Sequence, residues 1–431
     1  MGAEERLVIV DGYRTPFCKA GTLLKDATAG DLAAHVFREV LDRTGIDLEQ
    51  IDEVILGCAG PGPNEANVAR VASLRAGVPE KVPAVTVMRN CASGMESLHA
   101  ARMRMRAGDG EIFLIGGAES MSKYPLLMGD KLVDFFTRLQ KARTGMAKLK
   151  TIASFRPSFL APRVAILEGL TDPVTGMMMG NTADLLARQF GINREEQDEF
   201  ALESHAKAAS AKEHGSFDSQ ITPLTTTPNH KELVDADNGV RPDQSLSSLA
   251  KLRPVFDKRE GDVTVGNACQ VSDGATAMLV MSESRAQQLD LQPLAIVRGH
   301  GHAGLDPRVM GLGPVHATPI ALRDAGLDFD DIDLFEINEA FAAQVLACQK
   351  AFASEDYCRE HLGLSDPIGE IAPEELNVNG GAIALGHPIA ATGARIVLAL
   401  AHELRVRNKR HGLATLCIGG GQGQAVALEV A

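Results

Sequence analysis

The 431-residue sequence predicts an α/β protein made of two repeat-related halves, and three observations lead there. Strand-like segments alternate with helix-like ones, and strands such as "IFLIGG" and "LATLCI" are continuous apolar runs, the pattern of sheets covered on both faces by helices. The chain also repeats itself. "VLDRTGIDLEQIDEVILGCAG" (40–60) returns as "ALRDAGLDFDDIDLFEINEAF" (321–341): a helix end at Gly45 or Gly326, an acidic connection, then a strand opening with Ile-Asp. Finally, 45% hydrophobic content over this length is enough to bury a large core in two or three lobes.

Taken in order, the first half runs over 1–123, pauses, and resumes at 257–290, where "VTVGNACQVSDGATAMLVMSESRA" reads as strand, turn, strand. The interruption, 124–256, has helical stretches but no copy of the half-unit, and is expected to be an inserted loop domain. The second half occupies 291–431, starting near "LAIVRGHGHAG". The echo extends to "GMESLHAARMRMRAGDGEIFLIGGAES" (94–120) and "GARIVLALAHELRVRNKRHGLATLCIGGGQG" (393–423), each a glycine, an amphipathic helix, a turn, a buried strand and a glycine run. The loops of both halves should therefore face one site.

Composition narrows the classes. The apolar runs fall short of the roughly 20 residues that cross a bilayer, and the acidic start is unlike a signal peptide, so a cytoplasmic protein is expected. A net charge of −13 argues against nucleic-acid binding. Seven cysteines (18, 58, 91, 269, 348, 358 and 417) lack disulfide or metal-ligand spacing and read as reduced thiols.

Cys91, in "VTVMRNCASGMESLHAARMRM", stands between an apolar strand and a helix, where the helix dipole favours a thiolate and small neighbours admit a substrate. The alternative is a small buried hydrophobe. Its partner stands in the repeat-equivalent region: His387, in the glycine-rich "NVNGGAIALGHPIAATGARIVLAL", again just before a helix. A thiol and an imidazole are what an activated sulfur nucleophile needs. Cys417 ends a buried strand in "GLATLCIGGGQG", whose glycine N–H groups can hold an oxyanion. In "EINEAFAAQ", Asn338 and Glu339 lie between strand and helix, with helix capping the alternative to catalysis.

In this order, together with "RTPF" (14–17), "GGAESMS" (116–122), "AKLRPVFDK" (250–258), "GNACQVSDGA" (266–275) and "VMGLGP" (309–314), these motifs resemble the thiolase family over almost the whole chain. The resemblance implies a thiolase fold with mixed sheets in an α-β-α-β-α layering. It implies reversible cleavage of 3-ketoacyl-CoA by CoA, or condensation of two acetyl-CoA, through a ping-pong route. Cys91 would be the acyl-accepting nucleophile, His387 its base, and Cys417 the second acid/base. Asn338 with His387 would form one oxyanion hole, and the N–H groups of Cys91 and Gly419 the other. Met179, Cys269 and Phe341 would contact substrate or CoA; no metal and no cofactor beyond CoA as substrate are implied.

Some positions depart from the family pattern. "GMMMGN" stands where short-chain biosynthetic members carry His-Met, Cys269 where they have serine, and Asn338 where fatty-acid oxidation subunits commonly have histidine, so chain-length preference stays open. A ketoacyl-synthase-like enzyme would have no need of Cys417, and a non-catalytic acyl-CoA-binding protein should have lost one of Cys91, His387 or Cys417. A homodimer or tetramer is implied, pairing through a strand near "PAVTVMRN" expected to be buried on both sides. The insert carries eight Lys and Arg against one acidic residue over 131–163, with Leu132, Val133, Phe135, Phe136 and Leu139 expected on one greasy face. It could pack as scaffold, dock to a membrane or partner subunit, or draw CoA phosphates with Arg138, Lys141 and Arg143.

Overall fold

A computed structural model describes residues 5–226 and 231–431. In the first half, β1 (Leu7–Arg14) leads into α1 (Ala29–Thr44), β2 (Glu53–Gly57), α2 (Val68–Arg75), β3 (Ala84–Val87), α3 (Ser93–Ala107) and β4 (Ile112–Ser120), and after the insert β5 (Ser272–Ser282) completes it. Helix α1 starts where Thr28 and Asp31 form a capping box and stops at Gly45, whose φ of 62° suits a residue without Cβ. The insert contributes α4 (Asp130–Lys141), α5 (Gly145–Ala153), α6 (Met179–Gln189) and α7 (Arg194–Glu213). The second half is β6 (Ala295–Gly304), α8 (Gly313–Ala325), β7 (Leu334–Ile337), α9 (Ala342–Phe352), α10 (Ile389–Val406), β8 (His411–Ile418) and β9 (Gln422–Val430).

The repeat is visible in the topology. One half-sheet has the order β1-β5-β4-β2-β3, the other β6-β9-β8-β7, with a Phe335–Leu376 bridge where the fifth strand would lie. The pairs β2–β4, β2–β3 and β7–β8 are parallel and the others antiparallel. Gly326 ends α8 at φ 68° as Gly45 ends α1, and a single 3-10 turn then precedes each parallel strand. The halves are not separate sheets: β1 and β6 pair at Val8–Ile296 and Ile9–Ala295, joining them along one seam.

Three cores separate five layers. Leu32, Phe37 and Val40 of α1 cover the outer face of the first half-sheet. Val315 and Leu322 of α8 with Val345 and Phe352 of α9 cover that of the second. Between the inner faces lie α3 and α10, burying Met95, Leu98, Ile396, Val397 and Leu400. These two helices cross at repeat-equivalent glycines. A Cβ on Gly94 would sit 2.5 Å from Ala390 O, and one on Gly393 would sit 2.7 Å from Met95 N, so only glycine permits this approach.

Several local expectations are corrected. Residues 263–271 form a loop rather than a strand, because their backbone groups serve neighbouring side chains: Val263 N–H donates to Asp184, and Thr264 N–H to Asn267. In the single chain β3 is the half-exposed edge of the sheet, so its burial on both sides rests on the proposed pairing of protomers. The apolar residues of α4 do not share one face. Leu132 and Phe135 turn inward, Phe135 packing on Phe155 and Phe159, whereas Val133 and Phe136 point to solvent. Within 124–256, Phe135, Phe155 and Phe159 pack on one another, whereas α6 and α7 share cores with the second half.

Candidate active site

The crossing of α3 and α10 sets the site, because each helix is preceded by a tight turn carrying one reactive residue. Asn90 takes φ 44°, uncommon for a residue with a Cβ, and its side-chain amide holds that turn by donating to Gly419 O at 2.8 Å. Cys91 follows, half-buried. Three residues beyond Cys91 lies Gly94, and three beyond His387 lies Ala390, the two points in contact at the crossing. Gly117 of β4 completes this junction, since a Cβ there would meet Ala390 O at 2.0 Å.

The Cys91 sulfur accepts hydrogen bonds from the backbone N–H groups of Gly419 and of Cys91 itself. These favour the thiolate, yet burial outweighs them and pushes the thiol up to about 11. The expectation of a dipole-stabilised thiolate is therefore corrected: the resting group is a thiol, and it needs a base. Cys417, at the end of β8, is 2% exposed and is raised well above the ordinary thiol range by burial, with Cys91, Cys348 and Cys269 adding to the effect. Cys269, half-buried in the 263–271 loop, is pushed up to about 12, again first by burial and then by Cys91.

His387 is buried, with Gly386 before it at φ 104°. Its Nδ1 lies 2.6 Å from Thr392 Oγ1. That hydroxyl already donates its only hydrogen to Pro388 O at 3.0 Å, so it must accept from Nδ1–H. Nε2 is left as the lone-pair nitrogen, buried and without a protein partner. Burial, with the Arg395 cation adding to it, lowers this imidazole to about 4, so it is neutral at pH 7.

Asn338 is fully buried and both its amide atoms lack a protein partner, an arrangement that helix capping does not explain. Glu339 does not cap α9 either. It accepts from Ser204 Oγ at 2.7 Å, Asn377 Nδ2 at 2.9 Å and Ile383 N–H at 3.1 Å, binding α7 to the glycine-rich loop that leads to His387.

A cavity of about 640 Å³ opens in front of Cys91, walled by Met88, Asn90, Cys91, Tyr124, Met179 and Gly419 and by apolar residues from 165–174. Met179 approaches the Gly419 turn closely, its sulfur 3.1 Å from where a Cβ on that glycine would be. Phe341 is not on this wall; it packs against Phe256, ring centroids 6.0 Å apart, in the second-half core. The wall carries no lysine or arginine, so Arg138, Lys141 and Arg143 do not line it.

Three groups escaped the sequence reading. Glu119 of "GGAESMS" is fully buried, accepts from the N–H groups of Ala59, Gly60 and Ala390, and is raised by burial to about 6. Tyr124 hydrogen-bonds Glu119 and fills the space that a side chain on Gly60 would need. Thr392 was legible in principle, since a hydroxyl five residues after a loop histidine, in the first turn of the helix, can reach back to its ring.

Comparison with known proteins agrees with this geometry. Residues 7–284 match the family model "Thiolase, N-terminal domain", and residues 291–430 match "Thiolase, C-terminal domain". The chain belongs to the thiolase family and is an acyltransferase that cleaves and condenses acyl-CoA thioesters, with CoA as a substrate. It is 40% identical over 426 residues to a "Probable acetyl-CoA acyltransferase" of Staphylococcus aureus (strain N315), covering 98% of this chain and 99% of that one. Among solved structures it resembles the Bacillus anthracis acetyl-CoA acetyltransferase (38% identity, TM-score 0.87, all of both chains). It also resembles human mitochondrial 3-ketoacyl-CoA thiolase in complex with CoA (36% identity, TM-score 0.85, 99% of this chain and 98% of that one).

Proposed function

We propose that the chain cleaves 3-ketoacyl-CoA, or in reverse condenses two acetyl-CoA, by a ping-pong route through an acyl group on Cys91. What supports this reading is that the α3–α10 crossing brings together the two turns that precede these helices, one carrying a protonated Cys91 thiol near the N–H groups of Cys91 and Gly419, the other a neutral His387 whose Nε2 has no protein partner. His387 Nε2 takes the thiol proton, and the sulfur attacks the C3 carbonyl. As the C2–C3 bond breaks, acetyl-CoA leaves as an enolate and takes a proton at C2 from the Cys417 thiol. The thiol of free CoA then gives its proton to the Cys417 thiolate and attacks the acyl-Cys91 carbonyl; as the new thioester forms, the Cys91 sulfur leaves and takes its proton back from His387. Oxyanion charge falls to the N–H pair in one half-reaction and to His387 with Asn338 in the other.

The same reading places Met179 and Cys269 along the pantetheine or acyl path, and places the enzyme in cytoplasmic fatty-acid breakdown. It pairs protomers through the exposed edge of β3. For the insert it favours docking over scaffold, because Val133, Phe136, Met146, Leu149 and Ile152 are exposed beside Lys148 and Lys150. Replacing Cys417 by Ala tests the division of labour. Acetyl transfer between thiols should persist while exchange of the acetyl α-protons with solvent stops; exchange at the wild-type rate would refute the role of Cys417.

A further inference from the structure

Behind the Cys91 turn, α3 and β6 face each other across the seam between the halves, and both present metal-ligating side chains to one point. Glu96 and His99 are three apart on α3, hence on one face; His300 and His302 are two apart on β6, hence on one side of the sheet. The other side of β6 at Gly301 is closed by α8, where a Cβ would meet Ala317 O at 2.4 Å, so the two imidazoles turn toward α3. One ligand atom from each of His99, His300 and His302 falls within 4.8 Å of the other two, and among the described residues no other such group of His, Cys, Asp or Glu occurs.

We propose that His99, His300 and His302, with the Glu96 carboxylate, form a non-catalytic site for a divalent transition metal of the zinc, cobalt or nickel class.

Three of the four groups stand at single-ion spacing, and His99 lies within 4.8 Å of the other two imidazoles. His300 Nε2 and His302 Nε2 are 3.2 Å apart, and His302 Nε2 is 2.9 Å from Glu96 Oε2. Two ligands bound at about 2.0–2.1 Å on a tetrahedral or octahedral ion lie roughly 2.9–3.4 Å apart. In the ion-free protein Gln424 Nε2 lies 3.0 Å from His300 Nε2 and donates to Glu96 Oε2 at 3.2 Å, so an ion would take the place of this amide; Nδ1 of His99 is buried and unpartnered, and His300 is 7% exposed. Arg89 Nε donates to the same Glu96 Oε2 at 2.8 Å, so this carboxylate would be shared between the guanidinium and the ion. Imidazole nitrogens with one carboxylate suit zinc-class ions and not calcium or magnesium. His302, half-buried, lies at the solvent side and gives an entry path. The pattern eluded a search for cysteine spacing because its ligands come from elements about 200 residues apart, joined only by the fold.

The test is calorimetric titration of chelator-stripped full-length protein with Co²⁺ alone, read together with the optical spectrum. One ion per chain should bind, with a spectrum of nitrogen and oxygen ligation. His302→Gln, at a half-buried position, should fold normally and bind at least tenfold more weakly, and His99→Gln should do the same. No Co²⁺ binding by the wild type, unchanged affinity in both variants, or an intense thiolate-to-metal band placing the ion at the cysteines would each overturn the proposal.

Discussion

His387 Nδ1 and Thr392 Oγ1 are 2.6 Å apart in a buried turn, and because the hydroxyl donates to Pro388 O, this one contact sets which imidazole nitrogen carries the proton. Thr392 is thus a positioning residue for the base. Thr392→Val should lower kcat about tenfold or more, a part of the roughly 10²–10⁴-fold that a positioned base contributes. Thr392→Ser, which keeps the oxygen, should restore most of it. Steady-state kinetics with both variants checks this; equal loss in valine and serine would point to packing instead.

The pH profile follows from the same two groups. His387 is lowered to about 4, so it remains a competent base until pH falls through that value, and Cys91, raised to about 11, keeps its proton until far above neutrality. The log of kcat/KM should therefore be flat across neutral pH, with its acidic limb well below the ordinary histidine pKa of about 6.5. Initial rates after brief pH jumps would reveal it; an acidic limb near 6.5 would show His387 to be solvated and the tautomer argument to be misplaced.

Stability should hinge on a pair far from the thiols. Arg14 of "RTPF" is fully buried and doubly bonded to Asp237, at 2.6 and 2.7 Å, while Asp237 also accepts the Phe17 N–H at 2.6 Å. Asp237→Ala leaves a buried guanidinium without its counter-ion and should cost about 3–5 kcal/mol. Denaturant unfolding measures the loss; a change below about 1 kcal/mol would mean that water reaches Arg14.

Assembly has a separate reading. β3 is the free edge of its half-sheet, paired on one side only, to β2, and half-exposed along all four residues. Light scattering should find a dimer at micromolar concentration, and a proline at Val85 should weaken it; monomer in the wild type would remove this edge as an interface.

Much of the site could be read from the chain because the repeat reports its own alignment. Glycines 94 and 393, each at a helix start, mark the crossing, and Cys91 and His387 fall in the turns before those helices. What the pattern could not carry was solvent. The dipole argument for a Cys91 thiolate holds locally, but burial against the second half reverses the balance. The Phe341 ring packs on Phe256, a neighbour supplied by a loop about 85 residues earlier that the local pattern could not name. The cavity wall at 165–174 has no periodic signal, since its side chains acquire a common face only when the insert folds over Cys91.

The central claim is that the acyl group rests on Cys91 although two further thiols, Cys269 and Cys417, lie close enough to Cys91 for it to add to the upward shift of both. Mixing the enzyme with acetoacetyl-CoA, quenching in acid within the first turnover and sequencing the peptides by mass spectrometry decides among them. The mass of one acetyl group should appear on the peptide containing "NCASGMESL", at Cys91, and vanish in Cys91→Ala. An acetyl group on Cys269 or Cys417 in the active wild type, or turnover surviving in Cys91→Ala, would contradict the account.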